Sequence, residues 1–248
     1  MRLLLIFLLL TVTGVVNAQQ KNAETDTSYQ FVKRQPESPF IKTEAGMKPT
    51  IRTLIIPLSL ITYGVVSQTS EDLKEFDTRI KTEIREKKFH TPVDNYLQYA
   101  PGLAVFGLNA AGIKGKHNFR DRMLTYLLAN VMMGVTVQSI KTITKVRRPD
   151  GFGSNAFPSG HTATAFTGAE FLRQEYKNVS PWYGIAGYTA ATATGILRMY
   201  NNKHWLRDVV AGAGIGILST QVAYWLEPKI AKILFHKKTS FHFDPSNF

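Results

Sequence analysis

Apolar and polar positions alternate along this chain in blocks, not residue by residue. Apolar runs cover Ile51 to Gln68, Tyr99 to Ile113, Met123 to Ile140, Thr162 to Leu172, Pro181 to Leu197 and Val209 to Leu226. No run shows the two-residue alternation of a half-buried strand, so the pattern predicts an all-α fold. The runs are rich in Gly, Ala, Ser and Thr. Such small residues let membrane helices approach closely, and their hydroxyls bond across helices. The blocks are short against the ~20 residues of a full span, and a soluble bundle has cores of similar length. Six of them in one small chain favour a multi-helix membrane bundle of about five to six core helices. Between residues 69 and 95 the pattern changes. Leu73, Phe76, Ile80 and Ile84 recur at a helical period among mixed charges, which predicts an amphipathic surface helix ahead of the core.

The two ends of the chain read differently. Arg2, the apolar run Leu3 to Val16 and the small-residue pattern Val16-Asn17-Ala18 suggest a signal peptide over 1–18. An uncleaved anchor is the alternative. Residues 19–50 are polar and carry Pro36, Pro39 and Pro49, as a flexible linker does. The helical core is expected over 51–226, and 227–248 reads as a basic amphipathic tail with Lys229, Lys232, Lys237 and Lys238.

Charge narrows the function. The net charge is +12 and there is no cysteine, which excludes disulfides, thiolate metal sites and cysteine nucleophiles. Excess positive charge suits nucleic acid, an anionic membrane surface or an anionic substrate. No single-sign stripe appears, so nucleic acid is the poorest fit.

Three polar clusters interrupt the apolar blocks. In the first, Lys141 and Arg148 stand seven apart before Pro149. On a helix ended by the proline, both would point one way and suit an oxyanion. A solvated basic run with Lys145 and Arg147 would look the same. The second is Pro158-Ser159-Gly160-His161. Ser159 is an N-cap candidate, and the open amides of a helix start attract anions. A capping histidine is the plainer reading of His161. The third runs from Arg198 through His204 to Asp208. The last two are four apart, so on a helix the carboxylate would fix the imidazole tautomer and free its other nitrogen. An exposed ion pair would have the same spacing. His90, His117, His236 and His242 fall in polar segments and read as surface residues, and Trp182, Tyr183, Trp205 and Trp225 as interface anchors.

In this order and spacing the clusters resemble the type 2 phosphatidic acid phosphatase family, which shares its site with vanadium haloperoxidases and bacterial class A acid phosphatases. The family pattern is Lys, six residues, Arg-Pro; then Pro-Ser-Gly-His; then Ser-Arg, five residues, His, three residues, Asp. The match falls on Lys141, Arg148 and Pro149, on Pro158 to His161, and on Arg198, His204 and Asp208. Leu197 stands where the family has Ser. The resemblance covers about Tyr99 to Leu226. It implies that His204 attacks phosphorus, that Asp208 orients it, and that His161 protonates the leaving oxygen and then helps activate water. Lys141, Arg148 and Arg198, with the amides of Ser159 and Gly160, would bind the phosphate oxygens. It implies no metal and no other cofactor.

The implied partners are a lipid phosphate or pyrophosphate and the membrane. Phosphatidate, phosphatidylglycerol phosphate, undecaprenyl pyrophosphate and a lipid A phosphate all qualify. The expected place is the bacterial cell envelope, with the active site facing the periplasm. A soluble periplasmic acid phosphatase for small phosphate esters is the alternative; a haloperoxidase and a non-enzymatic membrane protein rank lower. Topology poses a problem. A cleaved signal followed by six spans would put the clusters in the cytoplasm, which leaves three resolutions: residues 51–68 do not span, the signal is not a signal, or the protein is a soluble periplasmic enzyme. The sequence does not set the oligomeric state.

Overall fold

The computed structural model describes residues 50–85 and 90–235. Among these residues there are eight helices and no strand. They are α1 (Ile51–Val66), α2 (Glu71–Arg85), α3 (Asp94–Leu97), α4 (Ala100–Ala110), α5 (Phe119–Thr144), α6 (Gly160–Tyr176), α7 (Pro181–Tyr200) and α8 (Leu206–Phe235). The signal and most of the linker expected at the N-terminus lie outside the described residues, as do 236–248.

Local chemistry sets the helix starts. The side chain of Asn118 accepts from the Asp121 amide at 3.0 Å to open α5. Ser180 caps α7, whose first position is Pro181, a residue pre-set for that place. Helix α5 stops at Lys145, which is left-handed at φ 49°.

Helix α8 is the central post, touching α1, α5, α6 and α7. Its segment Ala211 to Ile217 is buried and mostly Gly and Ala, so neighbouring backbones come very close. A methyl group added at Gly212 would lie 2.5 Å from the Ser159 carbonyl oxygen. Two helices, Phe119–Thr144 and Leu206–Phe235, are long and apolar enough to cross a membrane. They do so in different ways. Along α5, Phe119, Met123, Leu127, Val131 and Val135 recur every four residues and stay exposed, Leu127 at 60 %. A soluble protein would not leave that stripe bare, whereas lipid covers it at no cost. Helix α8 is instead surrounded by protein. The chain is an integral membrane protein of this helical design.

The amphipathic segment forms α2 as expected, with Ile80 and Ile84 buried. It leaves α1 at a 95° bend. Block boundaries moved: helix α5 extends the block Met123 to Ile140 at both ends, to Phe119 and Thr144. Helix α6 runs past Leu172 to Tyr176, carrying buried Glu170 and Glu175 that interrupt its hydropathy. Helix α8 runs past Leu226 to Phe235, through Pro228.

Candidate active site

All three clusters meet at one end of the bundle, but not by the local geometry that their spacing suggested. Helix α5 ends at Thr144, so Lys141 and Arg148 do not share a helical face. The chain instead turns back on itself. Arg148 donates its amide to the Gly153 carbonyl at 3.1 Å, and Ala156 donates to Val146 at 2.9 Å. Asn155 then gathers both cations. Its carbonyl accepts from Lys141 Nζ, and its Oδ1 accepts from Arg148 Nε at 2.9 Å. Lys141 and Arg148 are half-buried, while Lys145 and Arg147 are exposed, so the basic run divides into site-facing and solvent-facing members.

The second cluster forms the start of α6. Ser159 is fully buried and caps the helix; its Oγ accepts from the Thr162 amide at 3.4 Å and from the Thr162 hydroxyl at 2.9 Å. Its own amide donates to the Asp208 carbonyl at 2.9 Å. That amide is therefore taken, contrary to the expectation that it would meet phosphate. Gly160 and His161 follow in the first helical turn, where amides lack intrahelical partners.

The third cluster also departs from a simple i,i+4 pair. His204 precedes α8, which starts at Leu206. Asp208 sits in the first turn and its Oδ2 accepts the Trp205 amide at 2.9 Å, the reciprocal half of a capping box. The same oxygen lies 3.4 Å from His204 Nδ1, longer than an ordinary hydrogen bond. His204 is 4 % exposed and Asp208 fully buried. Burial of His204 lowers its pKa below the ordinary histidine value, although Asp208 opposes the shift; the charges of Arg198 and Lys141 lower it further. The ring is thus neutral near pH 7, with a free lone pair.

Arg198 closes α7 and is 7 % exposed. Its Nη1 binds Asp94 Oδ2 at 2.7 Å. Burial works against the Asp94 carboxylate, but hydrogen bonds from Arg198 and Asn201 hold its pKa below the usual carboxylate value. His161 Nε2 lies 2.9 Å from Asn95 Oδ1. Burial lowers His161 to about 4, and Arg198, His204 and Arg148 push in the same direction. Two imidazoles and two guanidinium groups from three separate stretches therefore act on one another electrostatically. Among the described residues, the buried atoms without a hydrogen-bond partner include Arg198 Nε, Asp94 Oδ1 and Asp208 Oδ1.

Residues 122–232 match the model of the PAP2 superfamily. The chain carries a PAP2 superfamily domain. Over 204 residues it is 36% identical to a lipid A 1-phosphatase of Porphyromonas gingivalis, an alignment covering 79% of this chain and 43% of that protein. It is 35% identical over 79 residues to the bacitracin transport permease protein BcrC of Bacillus licheniformis, covering 32% of this chain and 37% of that one. The chain thus spans less than half the length of both curated relatives. A crystal structure of a transmembrane PAP2-type phosphatidylglycerolphosphate phosphatase from Bacillus subtilis superposes with a TM-score of 0.52 at 22% identity, over 71% of this chain and 97% of that one. That likeness concerns the fold.

Several residues of the PAP2 site escaped the sequence reading. Asp94, Asn95 and Asn155 hold the expected groups and Asn201 ties down the backbone of Thr91 ahead of them, but an isolated Asp or Asn has no spacing that marks it. Trp205 is not only a block-edge aromatic, since it clasps the site. Its indole donates to the Arg147 carbonyl at 3.0 Å, and Lys81 and Arg207 stack on its ring at 4.6 and 5.1 Å. His117 is not a plain surface residue either, since its Nδ1 lies 2.6 Å from buried Glu175. His90 is exposed, as expected.

Proposed function

We propose that the PAP2 domain hydrolyses the phosphomonoester of a membrane lipid through a phosphohistidine on His204. The observation that carries this reading is the mutual bracing of the three clusters. Ser159 is tied to Asp208, Trp205 to Arg147, and Lys141 and Arg148 to Asn155. One tetrahedral oxyanion at their centre would meet every group that phosphoryl transfer needs.

Asp208 keeps the proton on Nδ1 of His204, so Nε2 presents its lone pair to phosphorus. As the P–N bond forms and the ester P–O bond breaks, charge gathers on the equatorial oxygens. Lys141, Arg148, Arg198 and the Gly160 amide face those oxygens. His161 gives its proton to the departing oxygen, which leaves as an alcohol. It then takes a proton from the water that attacks the phosphohistidine, the P–N bond breaks, and inorganic phosphate departs. Asp208 balances the positive charge of the phosphorylated ring. In the open site His161 is neutral near pH 7, because burial lowers its proton affinity. A bound phosphate dianion offsets those cations and draws the proton on.

The sugar phosphate of a lipid A is the first substrate to test, on the strength of the lipid A 1-phosphatase relative. We further propose that the site faces the periplasm. Lys114, Lys116, Arg120, Lys177, Lys229 and Lys232 lie around the opposite end of the bundle, and a cytoplasmic place for them fits the positive-inside rule once the basic catalytic loops are set aside as phosphate-binding. Helix α1 climbs toward the catalytic end, since Pro57 packs by Gly214 and Gly64 by Arg207 and Ala211. A periplasmic site therefore sets residue 50 toward the opposite half of the bilayer.

The test is phosphate release from a detergent-dispersed panel of lipid A, phosphatidate, phosphatidylglycerol phosphate and undecaprenyl pyrophosphate. Release from one of the lipids at rates well above those for small esters is expected. Activity on small esters alone, with the protein recovered in the carbonate-soluble fraction, would contradict the proposal.

A further inference from the structure

Helix α3 is only one turn long, yet consecutive residues on it reach two different site groups. Asp94 holds Arg198, and Asn95 meets His161 across 66 residues of sequence at 2.9 Å. The mount is firm. The Thr91 amide donates to Asn201 Oδ1 at 3.0 Å, and Asn201 Nδ2 donates to the Thr91 carbonyl at 2.7 Å. Gln98 Nε2 donates to the Asn95 carbonyl at 2.8 Å. The backbone that carries Asn95 is thereby fixed to the end of α7, beside Arg198.

We propose that Asn95 is a positioning residue, whose amide oxygen accepts Nε2–H of His161 and so turns Nδ1 toward the ester oxygen that must receive the proton. This rests on the phosphohistidine reading above. An amide neither gives nor takes a proton in the working range, so its oxygen can only accept. It keeps hydrogen on Nε2, so the proton that a bound phosphate draws onto the ring sits on Nδ1. As the ester P–O bond breaks, that proton passes from Nδ1 to the departing oxygen. Nδ1 keeps the electron pair, the ring is neutral again, and the water that releases phosphate from His204 reprotonates it. The charged and titratable groups facing His161 are Arg198, Asp94, His204 and Arg148. Three of them repel an added proton, so a neutral acceptor at Nε2 is what keeps the ring aimed.

The experiment compares two leaving groups in full-length protein. An alkoxide needs the proton, whereas p-nitrophenolate departs without it. Asn95→Ala is expected to lower kcat about 10²-fold on the lipid ester with KM little changed, and to lower p-nitrophenyl phosphate turnover less than about threefold. Asn95→Asp adds a negative charge at Nε2, and the basic limb of the kcat profile should move up by about one pH unit or more. His161→Ala is the control. If it discriminates between the two leaving groups while Asn95→Ala slows both equally or neither, the positioning role is overturned. An Asn95→Asp profile that does not move overturns it as well. If His161→Ala itself slows both substrates equally, the acid role falls, and the assignment of Asn95 with it.

Discussion

The two ends of the helical bundle bury charge for opposite purposes. Away from the catalytic end, Glu170 accepts from Arg173 at 2.6 and 2.7 Å, from Gln174 at 2.7 Å and from Tyr188 at 2.6 Å. Glu175 accepts from His117 at 2.6 Å, Tyr224 at 2.7 Å and Arg122 at 3.3 Å. Each carboxylate is saturated, and two arginines answer two glutamates. One donor there, Arg122 Nη1, is left over. At the catalytic end Asp94 pairs with Arg198 and Asp208 lies beside His204, while among the described residues Lys141 and Arg148 meet Asn155 and no carboxylate at ion-pair distance. Both of those carboxylates keep a buried oxygen without a partner. A closed network locks helices α5 to α8 together. An open one holds positive charge in place for an anion, before any substrate arrives.

If this contrast is right, substitutions at the two ends should separate activity from stability. The largest effect belongs to His204→Ala, which should lower lipid phosphate release by more than about 10³-fold. Size-exclusion behaviour and melting temperature in detergent should stay unchanged; turnover near the parent rate would refute the nucleophile. Glu170→Ala should do the reverse. Removing one partner of a buried pair costs about 3–5 kcal/mol, read as a drop in thermal midpoint, while the folded fraction keeps its kcat. A third effect is electrostatic. His161 is depressed to about 4 in the open site, and a bound dianion raises it. Between those two values each unit fall in pH should strengthen sulfate binding, by up to about tenfold. Sulfate does not titrate there, so calorimetry in buffers of different ionisation enthalpy should detect proton uptake by the protein alone. Proton release would reverse the sign and contradict the scheme. The smallest change is expected for Leu197→Ser. Asp94 already holds Arg198, so restoring the hydroxyl of the family pattern should alter turnover less than about threefold.

Much of this architecture was legible in the chain. The apolar blocks gave the helices because lipid and core both demand apolar side chains, and Leu73 to Ile84 gave the amphipathic helix by its period. Hydropathy failed where acids are buried. Arg173, Gln174 and Glu175 cut short the reading of α6, because the partners of Glu175 come from distant positions that no periodicity reveals. The site residues were visible as three spaced motifs, yet the reason they converge was not. Seven residues from Lys141 to Arg148 suggested two helical turns, whereas a left-handed Lys145 and the side chain of Asn155 do the aligning. The four residues from His204 to Asp208 suggested a shared helical face, whereas His204 precedes the helix and Asp208 reaches back to the amide of Trp205 beside it. Asp94 and Asn95 stayed hidden because each acts through a fold contact across more than sixty residues.

The central claim is that one phosphoryl group is handed to His204 within reach of all three clusters. Rapid quenching of the protein with a lipid substrate carrying labelled phosphate tests this most directly. The account predicts label that is acid-labile and alkali-stable, that maps to His204, that persists or accumulates in His161→Ala, and that is absent from His204→Ala. Phosphate release with no labelled protein at any quench time, or label that survives in His204→Ala, would contradict it.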